Sequence, residues 1–212
     1  MSLNKKVCIF ALRMNKDMNI EAKWSENVVL ADADYVDSVA FNLIVNFERM
    51  IGRRIPQADI ARWLDCVALD GGIRDGENEI QVILIHQKEK LQMDNFVPGN
   101  YASDLSNKAF KDHLGEFTIN SYHTEGLTKT GDFFCEALEL VLTQKNVKRL
   151  MVIPNAEEAA IYKVRETLRN ADDDRRITVF SMQPTAGGNY RQEILGYSLM
   201  AALGIKADEI KD

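Results

Sequence analysis

Several features that would fix a protein class at once are scarce in this chain. Its 212 residues hold three cysteines, Cys8, Cys66 and Cys135, odd in number and widely spaced. That pattern writes neither a disulfide framework nor a paired-cysteine zinc site, and buried free thiols are expected. Four prolines and twelve glycines exclude a collagenous chain, and 46% hydrophobic with 27% charged residues excludes a wholly disordered one. No apolar run approaches the roughly 18 to 20 residues of a membrane helix, and no basic, apolar, small-residue leader opens at Met1. A cytoplasmic location without a membrane partner is the resulting expectation. Basic residues are in deficit, 26 against 32 acidic, for a net charge of −6. The electrostatic footprint of a general nucleic-acid binder is therefore missing, although an acidic metal site flanked by local basic surface would still suit a nuclease.

What the chain does have is apolar residues recurring in two periods. Asn27 to Ala31 (NVVLA) is a short β-branched run that stops at acids, as a buried central strand does. Val36, Val39, Ala40, Leu43, Ile44, Phe47 and Ile51 then recur at helical spacing up to Gly52. After Pro56, the positions Ile60, Trp63, Leu64, Val67 and Ala68 mark a second helix that stops at Gly71 and Gly72. Glu79 to His86 reads as a strand, the segment with Pro98, Gly99 and Asn100 as a loop, Phe110 to Leu114 as a short helix, and Glu116 to His123 as a third strand. A helix carrying Phe134, Leu138, Val141 and Leu142 follows, capped by Thr130 or Asp132, and then a strand from Arg149 to Pro154. Ala160, Ile161, Val164 and Leu168 mark another helix, Asp172 to Asp174 an acidic turn, Arg176 to Met182 a strand, and Tyr190 to Leu203 a final helix. Val7 to Arg13 reads as an extra strand near a sheet edge, and the last residues as a solvated tail.

Strands alternating with helices predict a three-layer α/β/α domain with a mainly parallel five-stranded sheet, because right-handed crossovers place helices on both faces. Residues 1–212 are expected to form one such domain, with the extra strand at about 5–13 and the C-terminal helix and short tail at about 190–212. Ligands in such sheets lie beyond the carboxyl ends of the strands. That rule directs attention to Asp32 and Asp34, to Lys129 through Asp132, and to Asn155 through Glu158.

In the order of these segments the chain resembles the NYN and wider PIN-like nucleases. The family pattern has an apolar strand ending in an acid, a helical pair, a second strand, a Lys-Gly-Val-Asp-like helix start and a strand ending in Ser-Gly-Asp-x-Asp. Their places here are VVLAD at Val28 to Asp32, the helices up to Asp70, EIQVILIH, KTGD at Lys129 to Asp132, and VIPNAEE at Val152 to Glu158. The resemblance covers residues 28–182 and implies a PIN-like fold. Carried over residue by residue, it makes Asp32, Asp132 and Glu157 metal carboxylates with a catalytic role. Asn155 stands where a further Asp is expected and offers a carbonyl oxygen, and Lys129 is the basic residue suited to substrate phosphate. Mg²⁺ or Mn²⁺ would be the cofactor, since both take oxygen ligands and activate water against a phosphodiester, and RNA would be the partner. A homo-oligomer is left open.

The chain also departs from the pattern. Tyr35 stands where the family often has Asn, Pro154 replaces Gly, and the Asp-to-Asn and Asp-to-Glu changes alter charge and reach. Two readings result: a metal-dependent ribonuclease-like protein, and a catalytically inactive interaction or regulatory module. A third comes from DADYV at Asp32 to Val36, which is also the first motif of haloacid-dehalogenase-like phosphatases, with the first Asp as nucleophile and the second as acid/base. No Gly-Asp-x-x-x-Asp motif follows it late in the chain.

Plain structural roles compete for the same residues. Asp32, Asp34 and Asp132 suit helix caps, and Glu157 and Glu158 suit a first helical turn. His86, His113 and His123 have no metal-ligand spacing. Arg53 with Arg54, Lys145 with Lys148 and Arg149, and Arg175 with Arg176 are short basic clusters that could hold phosphates but more often decorate solvated turns. PTAGGNY lacks the spacing of a phosphate-cradling loop.

Overall fold

The computed structural model describes residues 24–125, 128–156, 160–169, 171, 174–185 and 187–210. Strand β1 (Asn27–Asp32) runs into helix α1 (Ala33–Ile51), and β2 (Ala58–Asp59) into α2 (Ile60–Asp70). Then come β3 (Asn78–His86), β4 (Phe96–Val97), a π-helical turn at Tyr101–Leu105, β5 (Lys108–Lys111) and β6 (Gly115–His123). Helix α3 (Thr130–Thr143), β7 (Arg149–Ile153), α4 (Ala160–Arg169), β8 (Arg176–Ser181), β9 (Arg191–Ile194) and α5 (Leu195–Ala202) complete the alternation, followed by a 3-10 turn at Ala207–Glu209.

The main sheet has seven strands in the order β5-β6-β3-β1-β7-β8-β9. Every neighbouring pair is parallel except β5 with β6. Setting β5 aside, the order is that of a doubly wound sheet, and the chain reverses direction between β1 and β7. Strand β1 has a neighbour on each edge and a helical layer on each face, so all six of its residues are buried and it reads as an unbroken apolar run. Its period of two sorts the core: Val29 and Ala31 pack with α1, α2 and α5, whereas Val28 and Leu30 pack with α3 and α4. On the first face Trp63 of α2 meets Phe96 edge to face, with ring centroids 5.6 Å apart. Asp32 caps α1 by accepting from the Tyr35 N–H at 3.0 Å, and Asp59 caps α2 through the Arg62 N–H at 3.0 Å. Among the described residues no helix is long and apolar enough to cross a membrane.

The sheet therefore has seven strands where the sequence pattern predicts five, and both additions are short edge elements. Phe110 to Leu114, expected as a helix, is instead the end of β5 and the turn into β6: Lys108–Lys111 pairs antiparallel with Glu116–Ile119, and the Phe110 ring stacks on Phe117 at 4.6 Å. The expected helix from Tyr190 to Leu203 is split, because residues 191–194 complete the open edge of β8 before α5 begins at Leu195. The tail is tied down as well. Arg53 donates from Nε and Nη2 to the Glu209 carboxylate at 2.6 and 2.8 Å, and this bonding holds the Glu209 carboxyl down at about 2. The extra strand expected at Val7 to Arg13 lies outside the described residues.

Gly115 opens β6 at φ 139°, in a region that favours glycine, and a β-carbon there would sit 2.1 Å from the Asn78 carbonyl oxygen of β3. Backbone cannot give way as a flexible side chain can. Gly115→Ala is expected to cost about 3 kcal/mol of folding stability, read as a lower urea midpoint with an unchanged slope.

Candidate active site at the carboxyl ends of the strands

The reversal between β1 and β7 leaves a crevice beyond their carboxyl ends, the place where a doubly wound sheet takes its ligand. Asp32 closes β1 there and is 2% exposed. It shares its register row with Ile85 of β3, a member of the core under α3 and α4. Across the crevice Ile153 of β7 pairs with Ala31, which sets Asn155 two residues beyond the neighbouring strand end. Helix α3 starts at the same end of the sheet. Lys129 occupies its cap position and makes no side-chain cap bond, and Asp132 lies in its first turn. The Asp132 carboxylate is 41% exposed and ion-paired to the Lys163 ammonium of α4. That carboxylate raises the Lys163 pKa, first by hydrogen bonding and then by charge.

Asp32, Lys129, Asp132 and Asn155 thus share one end of the sheet. Glu157, the remaining expected carboxylate, lies outside the described residues. These oxygen donors suit a hard divalent ion in kind, while Lys163 already supplies Asp132 with positive charge. The grouping of three potential ligands that does occur among the described residues is a different one, Asp65, Asp112 and His113, with ligand atoms within 4.8 Å of one another. It joins α2 to the turn between β5 and β6, away from the crevice.

A second set of groups gathers on the α1 side of the strand ends, and sequence reasoning missed it. The cap role expected of Asp34 falls to Asp32. The Asp34 carboxylate reaches β3 instead: Oδ2 accepts from the Gln87 N–H at 2.7 Å, and Oδ1 lies 3.9 Å from the Lys90 ammonium. Asp37 is buried and accepts from Asn95 at both the backbone N–H (2.8 Å) and Nδ2 (3.2 Å), which pins the segment leading into β4. The His86 ring stacks on Tyr101 at 3.7 Å, with His123 6.0 Å away edge to face. Burial lowers the His86 pKa, and its Nδ1 lies 2.8 Å from the Gln87 carbonyl. The proton then sits on Nδ1 as a donor to that carbonyl. Burial raises the Tyr101 phenol, and the charges of Asp34, Asp37, Asp32 and Asp94 raise it further. A neutral imidazole thus stacks on a neutral phenol that feels four nearby acids. No local sequence signal could reveal it, because Asp34 and Gln87 are 53 residues apart and Asp37 and Asn95 are 58 apart.

Burial is the main cause of a raised Asp34 pKa, only partly offset by the Gln87 N–H and Lys90. The folded protein therefore holds this proton more tightly than the unfolded chain. The contribution of Asp34 to stability falls as pH rises from the ordinary value of 3.8 through the raised one, and stays low above it. Asp34→Asn keeps an oxygen for Gln87 and removes the titration. Its stability relative to the wild type should rise from about pH 3 to about pH 7 and end level or higher, measured by denaturant unfolding across that range.

Comparison with known proteins yields one match and two blanks. The model of a family described as a family of unknown function (DUF6621) matches residues 21–210. No curated protein and no solved structure matches the chain. Since the match spans most of the chain, the protein belongs to this family of unknown function (DUF6621).

Proposed function

We propose that the chain is a PIN-like, metal-dependent ribonuclease-like protein, with its acidic site in the crevice between β1 and β7. One observation carries this reading. Asp32 ends the central strand in the register row of the α3/α4 core, and α3 brings Asp132 to the same end of the sheet in its first turn. In this reading Asp32, Asp132 and Glu157 would hold Mg²⁺ or Mn²⁺, with Asn155 offering its carbonyl oxygen. A divalent ion bound there supplies an activated water and offsets charge on the phosphodiester. Lys163 balances the Asp132 carboxylate while no ion is bound, and Lys129, at the start of α3, serves the phosphate.

The Asp132–Lys163 ion pair favours a second reading, in which the lysine permanently takes the place of a cation and the module binds without catalysis. Manganese titration and cleavage of a labelled single-stranded RNA separate the two. The first reading expects one Mn²⁺ bound per chain. It also expects Mn²⁺-dependent cleavage reduced at least about 100-fold by Asp32→Asn or Asp132→Asn. Wild-type protein that binds no Mn²⁺ and cleaves nothing removes the nuclease, and recovery of Mn²⁺ binding in Lys163→Met would then identify the lysine as the substitute.

A further inference from the structure

Parallel neighbours bring their first residues together, and here those residues share a charge. Strands β7, β8 and β9 open with Arg149, Arg176 and Arg191. Arg149 and Arg176 are register partners, and Arg191 pairs with Thr178 two residues along β8. Arg175, just before β8, and Arg74, in the turn after α2, complete the set around an open depression of about 500 Å³ at the amino ends of these strands. Five of the chain's twelve arginines line this one basin in a protein of net charge −6, and none of the described residues lining it is acidic.

Helix capping explains part of this arrangement. Arg74 donates to the Leu69 carbonyl (3.2 Å) and the Ile73 carbonyl (2.8 Å) at the end of α2, Arg149 to the Gly71 carbonyl (2.7 Å), and Arg175 to the Val141 and Gln144 carbonyls (3.3 and 3.0 Å) at the end of α3. Carbonyls orient a guanidinium without neutralising it, and each guanidinium has five donors. Capping therefore does not account for gathering five like charges in one place. The packing tightens the basin further. Gly72 stands at φ 88°, and a β-carbon on it would lie 2.7 Å from Arg149 Nη1, so the backbone is cut back where the guanidinium lies. Burial pushes the Arg149 pKa down, and the charges of Arg176, Arg74 and Arg191 add to the fall against the pull of Glu26. Arg191 has its own counter-charge in Glu193 at 2.5 Å, and the charges of Arg176 and Arg74 acting on Arg149 make these three the core of the positive surface.

We propose that this basin binds the polyphosphate chain of a small molecule, of the size and charge of a nucleoside triphosphate. Planar guanidinium forks match phosphate oxygens two at a time, and the volume lies in the range of small-ligand sites. Several phosphates in a row meet several arginines at once, whereas a single phosphate leaves most of the repulsion in place. Asn189 and Tyr190, just ahead of β9, also line the depression. The proposal is independent of the strand-end acids, which lie at the opposite end of the sheet.

Titration calorimetry on the full chain at low ionic strength tests it, with inorganic tripolyphosphate, ATP, orthophosphate and a single-stranded RNA as probes. Tripolyphosphate and ATP are expected to bind with a dissociation constant on the order of 10 μM, and orthophosphate at least about tenfold more weakly. Arg176→Glu should weaken tripolyphosphate at least about tenfold. Arg74→Glu provides the same readout at a second exposed position, should the first variant fold poorly. Lys108→Glu on β5, at the far edge of the sheet, makes the same change in net charge and should leave binding intact. ATP binding more tightly than tripolyphosphate would add the nucleoside to what is recognised. No binding of either polyphosphate, an equal loss in Lys108→Glu, or binding of RNA alone would overturn the proposal.

Discussion

A strand with water on neither face and a neighbour on each edge has no inexpensive way to end in a charged residue. Strand β1 is such a strand, and it ends in Asp32 at 2% exposure. A carboxylate withdrawn from water this far must be met by donors or cations. The first donor comes from the chain itself, since the turn into α1 directs the Tyr35 N–H at Oδ1, and the positive end of that helix adds to the effect. The abrupt passage from strand to helix is a consequence of this pairing: β1 stops at Asp32 and α1 starts at Ala33, with no loop between them. The same passage projects Asp34 and Asp37 from the first turns of α1 towards β3 and the segment before β4. Asp34 and Asp37 thereby tie α1 to segments more than fifty residues away at one end of the sheet.

How much of this the sequence reveals depends on how local each cause is. The run VVLA, the helical spacing from Val36 to Ile51 and the alternation of strand with helix from Glu79 onward are local patterns, and most of the elements they predict are present with small shifts at their ends; the exceptions are the helix expected at Phe110 to Leu114, which is absent, and the one from Tyr190 to Leu203, which is split. Strands β5 and β9 were hidden because four residues are too few to show a period. KAFK and RQEI exist as strands only because β6 and β8 offer open edges. Of the expected site, Asp32 and Asp132 are found at strand and helix ends on one side of the sheet, as the alternation implies. The partners that fix their chemistry were not visible: Lys163 is 31 residues from Asp132 and belongs to the next crossover. The five basin arginines are spread from position 74 to position 191. In the sequence they look like short basic turns, and only strand order makes them neighbours.

A net charge of −6 describes this chain poorly, because the charge is sorted along the strands. Acids collect at the carboxyl ends of β1 and around the start of α1, and arginines at the amino ends of β7, β8 and β9. Parallel topology favours the sorting. Each crossover helix runs antiparallel to its strands, so its positive N-terminus lies at the strands' carboxyl ends and its negative C-terminus at their amino ends. Asp32 beside α1 and Asp132 in the first turn of α3 sit at positive helix ends. Arg74 and Arg149 at the close of α2, and Arg175 at the close of α3, sit at negative ones. Helix polarity accounts for the sign of the charge at each end of the sheet. It does not account for how much charge is placed there, since a helix end acts as about half a unit of charge and needs no more than one arginine. The excess over that requirement, Arg176 and a second arginine at the close of α2, within a basin whose described lining holds no acid, is the part of the pattern that points beyond the fold to a ligand.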